Sequence, residues 1–311
     1  MTAPASAPVP ATAATSDEVV LQADHITIRF GGLVAVDDVT FTVPKNGVVS
    51  LIGPNGAGKT TFFNVLTGLY RPTEGRVVLN GADVTGRPPH KIAHAGLART
   101  FQNIRLFNLM TAEENVLVAM HSNLKAGILG TVFGSPRKRR EERDARVFAR
   151  ELLDYVGIGK SADEYARNLS YGDQRRLEVA RALALRPTVL LLDEPTAGMN
   201  PKESAEFVGF VHRVRSDRDL AVLLIEHDMS VVMRVSERIT VLDRGECIAE
   251  GSPDKIRNDA RVVEAYLGKT GTREGKRKPR ADRVASGTAA GQPGTSDVPG
   301  TAARTTDEDR P

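Results

Sequence analysis

Nine consecutive residues constrain this chain more than any others: Gly53-Pro54-Asn55-Gly56-Ala57-Gly58-Lys59-Thr60-Thr61. They follow a short apolar run, Val48–Ile52, which reads as a buried strand, and they open a stretch, Lys59–Leu69, with helical spacing. Strand, glycine-rich turn and helix in that order form a phosphate-binding loop. Glycines let the backbone wrap closely and aim successive N–H groups at phosphate oxygens. The helix N-terminus adds a favourable partial positive charge. In such a loop Lys59 reaches the β and γ phosphates of a nucleotide, and Thr60 offers its hydroxyl to Mg²⁺.

A second constraint lies downstream. Val189-Leu-Leu-Leu-Asp193-Glu194 is an apolar run followed by two carboxylates. A buried parallel strand would carry both acids to its C-terminal edge, where open α/β sheets bind ligands. There Asp193 would help hold Mg²⁺ through water, and Glu194 would polarise the attacking water as general base.

The rest of the chain supplies a matching scaffold. Val19–Phe30 and Val39–Val43 alternate apolar and polar residues and read as strands, as does Arg76–Leu79. The segment from Thr111 to Ala166 reads as mostly helical, broken by Pro136 and glycines. Ala221–Ile225 is another apolar strand, and Arg238–Leu242 with Glu246–Ala249 flank Arg244-Gly245 as a terminal hairpin. Strands alternating with helices predict a parallel sheet covered on both faces, with a helical subdomain inserted into it.

Composition narrows function by exclusion. A net charge of +3 is too small to argue for nucleic acid, and tryptophan is absent, which disfavours base-stacking platforms. No apolar stretch approaches the roughly 18 to 20 residues that span a bilayer, and the N-terminus does not read as a secretory signal. Residues 1–17 and 269–311 are poor in buriable side chains and read as disordered tails. Pro136-Arg-Lys-Arg-Arg140 is followed at once by acids, so an exposed charged helix face is expected rather than a nucleic-acid patch. The single cysteine, Cys247, is expected in an inert core position, and the histidines other than His227 lack metal-ligand spacing.

A third motif points to a family. Leu169-Ser170-Tyr171-Gly172-Asp173-Gln174-Arg175-Arg176 resembles the LSGGQ signature of the ATP-binding-cassette (ABC) family, and with it the resemblance covers nearly all of Val19–Gly268. The resemblance implies an α/β P-loop cassette over residues 18–268, with a RecA-like parallel core sheet, an N-terminal antiparallel β subdomain and an inserted helical subdomain at about 103–170. It implies an ATPase using ATP and Mg²⁺. Phe30 takes the place of the ring that stacks on adenine. Gln102 looks like the glutamine that approaches Mg²⁺ and the attacking water, Ala197–Asn200 like the loop crossing a dimer interface, and His227 like the switch histidine beside the γ-phosphate. In the family two cassettes sandwich two nucleotides, so Ser170, Tyr171, Gly172 and Asp173 would act on ATP held by a partner. Asp173 departs from the consensus glutamine and puts a direct contact to that nucleotide in doubt.

The finer resemblance is to ATPase subunits of branched-chain amino acid importers. Phe30-Gly-Gly-Leu-Val-Ala-Val-Asp, Arg99-Thr-Phe-Gln-Asn-Ile-Arg-Leu-Phe107, the Tyr171 signature with Arg175-Arg176-Leu-Glu, Ala197-Gly-Met-Asn-Pro201 and Ala265-Tyr-Leu-Gly268 carry it. It implies a second cassette, two permeases, an extracytoplasmic binding protein, and residence on the cytoplasmic face of the membrane. Urea or amide importers, lipopolysaccharide exporters and soluble cassettes acting on nucleic acid are the alternatives. A non-catalytic module is disfavoured, because Lys59, Asp193, Glu194 and His227 are all present.

Overall fold

A computed structural model describes residues 18–120 and 136–267. The two tails lie outside these residues. Strands β1 (Val19–Phe30) and β2 (Leu33–Pro44) form a long antiparallel hairpin, extended by β4 (Glu74–Leu79) and β5 (Ala82–Asp83) into a sheet ordered β2-β1-β4-β5. β2 begins earlier than the alternation at Val39 suggests. Its first residues continue the hairpin through Arg29↔Val34 and Phe30↔Leu33, where Leu33 and Val34 stay exposed and leave no burial pattern to read.

The second sheet holds the site. It comprises β3 (Val48–Ile52), β6 (Leu97–Arg99), β7 (Val189–Asp193), β8 (Ala221–Ile225), β9 (Arg238–Asp243) and β10 (Glu246–Gly251), ordered β10-β9-β3-β8-β7-β6. Every pairing is parallel except the β9–β10 hairpin. β3, β7 and β8 are buried throughout, which is why they read as unbroken apolar runs rather than alternations. Period-two geometry still divides their side chains. Leu190, Leu192, Val222 and Leu224 join a core with the helices, while Leu191, Leu223 and Ile225 join a core with the first sheet.

Helix α1 (Lys59–Leu66) follows the glycine loop and buries Phe62, Phe63, Val65 and Leu66. Phe62 meets Phe41 of β2 edge-to-face, with centroids 5.7 Å apart. Burying one such ring contributes roughly 1.5–3 kcal/mol, which anchors the loop to its sheet. α2 (Pro89–His94) leads into β6.

Between β6 and β7 the chain makes a helical excursion: α3 (Ala112–Met120), α4 (Pro136–Val156) and α5 (Tyr171–Leu183). Ala149, Leu152, Leu153 and Val156 of α4 sit at the spacing of one helical face and pack in one core with Leu177 and Ala180 of α5. Residues 140 and 142–144 of the charged run are exposed. Glu113 of α3, 4% exposed at its side chain, is paired with Arg146 at 2.8 Å and Arg150 at 2.5 Å. Asn115, fully buried, bonds the backbone of Phe107 on both its N–H and its C=O, and so fixes the segment that follows Gln102.

The chain closes with α6 (Pro201–Arg218), α7 (Met229–Val235), α8 (Pro253–Arg257) and α9 (Ala260–Leu267). Asn200 caps α6 with a full capping box to Glu203. Cys247 departs from the core position expected of it: it is exposed on β10. The cause is topological, because β10 is an edge strand paired only with β9. Although the residue as a whole is exposed, partial desolvation of its sulfur, with Glu250 nearby, pushes its thiol pKa up.

Candidate functional site

The C-terminal ends of four neighbouring parallel strands, β3, β8, β7 and β6, carry the phosphate loop, His227, the acid pair and Gln102, while Phe30 and the signature residues lie elsewhere. The glycine loop leaves β3. Gly53 and Gly58 take positive φ angles of +151° and +98°. A Cβ on Gly53 would lie 2.1 Å from the Leu242 carbonyl oxygen, and one on Gly58 would lie 2.5 Å from that of Ala35. Both positions therefore demand glycine for space as well as for conformation. Lys59 Nζ donates to the carbonyl oxygens of Gly53 (2.6 Å) and Pro54 (3.0 Å). Desolvation lowers its pKa, against the opposing pull of Glu194 and Asp193. Pro54, Asn55, Gly56, Ala57, Thr60 and Thr61 complete the loop, with Thr60 exposed at the start of α1.

β7 delivers the acid pair. Asp193 is 5% exposed, and Arg99 at the end of β6 donates to its Oδ2 at 2.7 Å. The same guanidinium donates to Asn64 Oδ1 at 2.8 Å and lies 5.6 Å from the Phe63 ring centroid and 5.5 Å from that of Phe101. Arg99 thus ties the acid strand to α1. Glu194 sits at φ +46°, a left-handed conformation uncommon for a non-glycine residue and frequent where function holds a side chain in place. Its Oε2 accepts from Gln102 Nε2 at 2.7 Å and lies 3.7 Å from His227 Nδ1. Gln102 thus bonds Glu194 directly, while the exposed His227 ring lies near both Glu194 and Glu226, 3.7 and 3.8 Å from their Oε2 atoms.

Glu226, fully buried, steadies this cluster. It accepts from the Thr196 N–H at 2.9 Å, from the Thr196 hydroxyl, and from the His227 N–H at 3.0 Å. Tyr266 lies on the last described helix, partly exposed. Desolvation pushes its phenol up in pKa, partly offset by a backbone hydrogen bond from Gly53. Phe30 lies at the end of β1, 46% exposed, with its ring edge-to-face with Tyr70 at 5.3 Å.

The signature residues lie apart from this cluster. Ser170 caps α5, accepting from the Asp173 N–H at 3.2 Å, and its hydroxyl donates to Asp173 Oδ2 at 2.8 Å. Tyr171 accepts from Arg175 at 3.0 Å, and a Cβ on Gly172 would meet nothing within 4 Å. None of the hydrogen bonds or ring contacts of Ser170–Asp173 reaches residues 53–61.

The oxygen donors of Thr60, Asp193 and Gln102 fit Mg²⁺, which prefers hard oxygen ligands and binds with few protein groups plus phosphate and water.

Arg99, Glu226, Thr196, Asn64 and Tyr266 were not singled out by sequence reasoning as members of the site. Arg99 and Tyr266 fall inside segments that carry the family resemblance, which was the available signal. Glu226 next to His227 offered only adjacency.

This arrangement defines a nucleotide-binding cassette, and comparison with known proteins agrees. Residues 36–197 match the family described as ABC transporter, and the chain belongs to that family. Residues 246–271 match a second family, branched-chain amino acid ATP-binding cassette transporter. The chain is 49% identical over 249 residues to the high-affinity branched-chain amino acid transport ATP-binding protein BraF of Pseudomonas aeruginosa, covering 80% of this chain and 98% of that one. Its fold superposes with a TM-score of 0.70 on the ADP conformation of MJ1267, an ATP-binding cassette of an ABC transporter, at 31% identity over 81% of this chain and 99% of that one. A dimeric post-hydrolysis cassette bound to ADP and Pi, MJ0796, matches at TM-score 0.63 and 26% identity, covering 75% and 98%. The family and the α/β cassette fold expected from the motifs are borne out.

Proposed function

We propose that the chain is the ATP-hydrolysing subunit of a membrane importer for branched-chain or other amino acids. The observation that carries this reading is the hydrogen bond from Gln102 to Glu194, with His227 close by, at the strand edge that also carries the phosphate loop. The free N–H groups of the loop, which exclude Pro54 and the already bonded Ala57, hold the phosphates, and Lys59 exchanges its carbonyl partners for phosphate charge. Phe30 offers its exposed ring to the adenine. Glu194 takes a proton from the attacking water as the water oxygen bonds to the γ-phosphorus and the bond to the leaving ADP oxygen breaks. Gln102 fixes the carboxylate, and His227 stands where the γ-phosphate oxygens arrive. Asp193, with Thr60 and Gln102, would hold Mg²⁺, which when bound neutralises phosphate charge.

The exposed start of α5 serves the nucleotide of a second cassette, through the Ser170 hydroxyl, the Gly172 N–H and the helix N-terminus. Two permeases would receive the motion at the surface beyond Gln102, where Phe107, Leu109 and Met110 stay exposed, Leu109 at 72%. Such large exposed apolar groups in one segment suit a protein contact. No helix among the described residues is long and apolar enough to cross a membrane, so attachment to the cytoplasmic face would run through those permeases, with an extracytoplasmic binding protein presenting the solute.

The test is purification of the tagged chain from its own membranes in mild detergent, followed by mass spectrometry and leucine uptake in reconstituted vesicles. Two permeases, a second cassette and ATP-dependent leucine accumulation are expected. Recovery of soluble chains alone, or of nucleic acid, would remove the transport reading while leaving the ATPase intact.

A further inference from the structure

Beneath the start of α5 lies a buried ionic knot that the catalytic scheme above does not use. Arg175 is 4% exposed, and its ion-pair partner Glu178 is 5% exposed. The two side chains meet at 3.1 Å one turn apart on the helix. A buried pair of this kind is costly unless its remaining hydrogen-bonding capacity is largely met, and here a distant segment meets most of it, with Arg175 Nε alone left without a partner. Arg175 donates to the carbonyl oxygen of Phe101 at 2.7 Å and to that of Gln102 at 2.5 Å. Glu178 accepts the Phe101 N–H at 3.0 Å. Both polar groups of Phe101's main chain and the carbonyl of Gln102 are thus gripped by α5. On its other side Arg175 donates to the Tyr171 hydroxyl at 3.0 Å, with the guanidinium 5.5 Å from the Tyr171 ring centroid.

The chain of contacts therefore runs without a break from Tyr171, at the surface facing a second cassette, through Arg175, into the backbone of Gln102, and on through the Gln102 side chain to Glu194 at 2.7 Å. We infer that Arg175 is a positioning residue that couples the two half-sites carried by one subunit: engagement of its α5 start by the partner's nucleotide sets the position of Gln102 against its own Glu194. This rests on the reading that α5 caps a nucleotide held by a second cassette. The planar fork of arginine suits the task, because it binds two carbonyls, a carboxylate and a phenol at once in fixed directions, which a lysine ammonium does not. Glu178 keeps the buried charge neutralised while Arg175 does so. Its own pKa is raised by desolvation, against the opposing Phe101 N–H and Arg175.

The experiment is a double-mutant cycle in the full-length chain, with ATP turnover and ATP binding measured separately. Arg175→Lys keeps the charge beside Glu178 and loses the fork. Its kcat should fall roughly ten- to a hundredfold, the scale of a small misplacement at a reacting centre, while ATP affinity stays within about twofold. In a Gln102→Ala background the same substitution should cost no more than about twofold further, because its effect runs through Gln102. Losses that multiply, or a kcat unchanged by Arg175→Lys, would overturn the proposal. Loss of ATP binding together with a lowered melting temperature would mark that variant as misfolded. Tyr171→Phe then decides, since it removes only the hydroxyl contact to Arg175. A severalfold fall in kcat that vanishes in the Gln102→Ala background supports the coupling, and a fall that persists there, or none, refutes it. Failure of the dimer reading shows separately, as ATP-loaded Glu194→Gln chains that remain monomeric.

Discussion

The phosphate-loop half of the molecule and the signature half solve different problems. Around the loop the principal charged side chains are held by groups of the same chain. Lys59 bonds to two carbonyls, Asp193 is paired with Arg99 at 7% and 9% side-chain exposure, and Glu194 is held by Gln102. At the start of α5 the functional groups face outward: Gly172 has open space around it, and Tyr171 is 46% exposed. The first half is assembled by its own chain, whereas the second presents its groups to something else. Substitutions in the loop half should therefore act on the nucleotide bound by the same chain, and substitutions in the signature half on the nucleotide of a partner.

Lys59→Ala tests the first half most severely. It removes the cation from a cluster of phosphate charge, and ATP binding by the isolated chain should vanish in equilibrium titration. Retained affinity would mean that the loop's N–H groups suffice, and the contrast between the halves would blur. Glu194→Gln should keep ATP binding and lower turnover by roughly a hundred- to ten-thousandfold, the usual reach of general-base catalysis. It should also make an ATP-dependent dimer visible by gel filtration, and turnover near wild type would assign the base elsewhere. The smallest effect is expected in the signature half. Asp173 Oδ2 engages the Ser170 hydroxyl at 2.8 Å, so Asp173→Gln removes a carboxylate from the exposed start of α5 and loosens the hold on that hydroxyl. Binding by the isolated chain should not change, and dimer turnover should rise or stay level. A marked drop would show that the carboxylate itself is needed.

The parts of this design readable from the sequence were those where a function is written in neighbouring residues. The glycine loop is contiguous, and its flanking strand and helix could be read with it. Val189–Leu192 and Ala221–Ile225 announce buried strands because both of their faces are covered. What could not be read depends on contacts across long stretches of chain. Arg99 finds Asp193 across 94 positions, and Arg175 finds Gln102 across 73. Neither pairing leaves a local trace, since an arginine at a strand end or on a helix is usually a solvated one. The three-residue β6 is too short for a periodic signal, and Cys247 was misjudged because strand identity does not tell an edge from a centre.

The placement of β6 beside β7 has a consequence for how such a protein can change over generations. The two strands are parallel neighbours, registered Leu97↔Val189, so everything between them leaves the sheet and returns to the strand next door. The length of α3 and α4 can then vary without changing strand order, whereas Gln102 and α5, which belong to the same excursion, are tied to the catalytic edge. A fold built this way separates what may vary in length from what must stay in place: the strands that carry the phosphate loop and the acid pair keep their order whatever the span of the helices inserted between two of them.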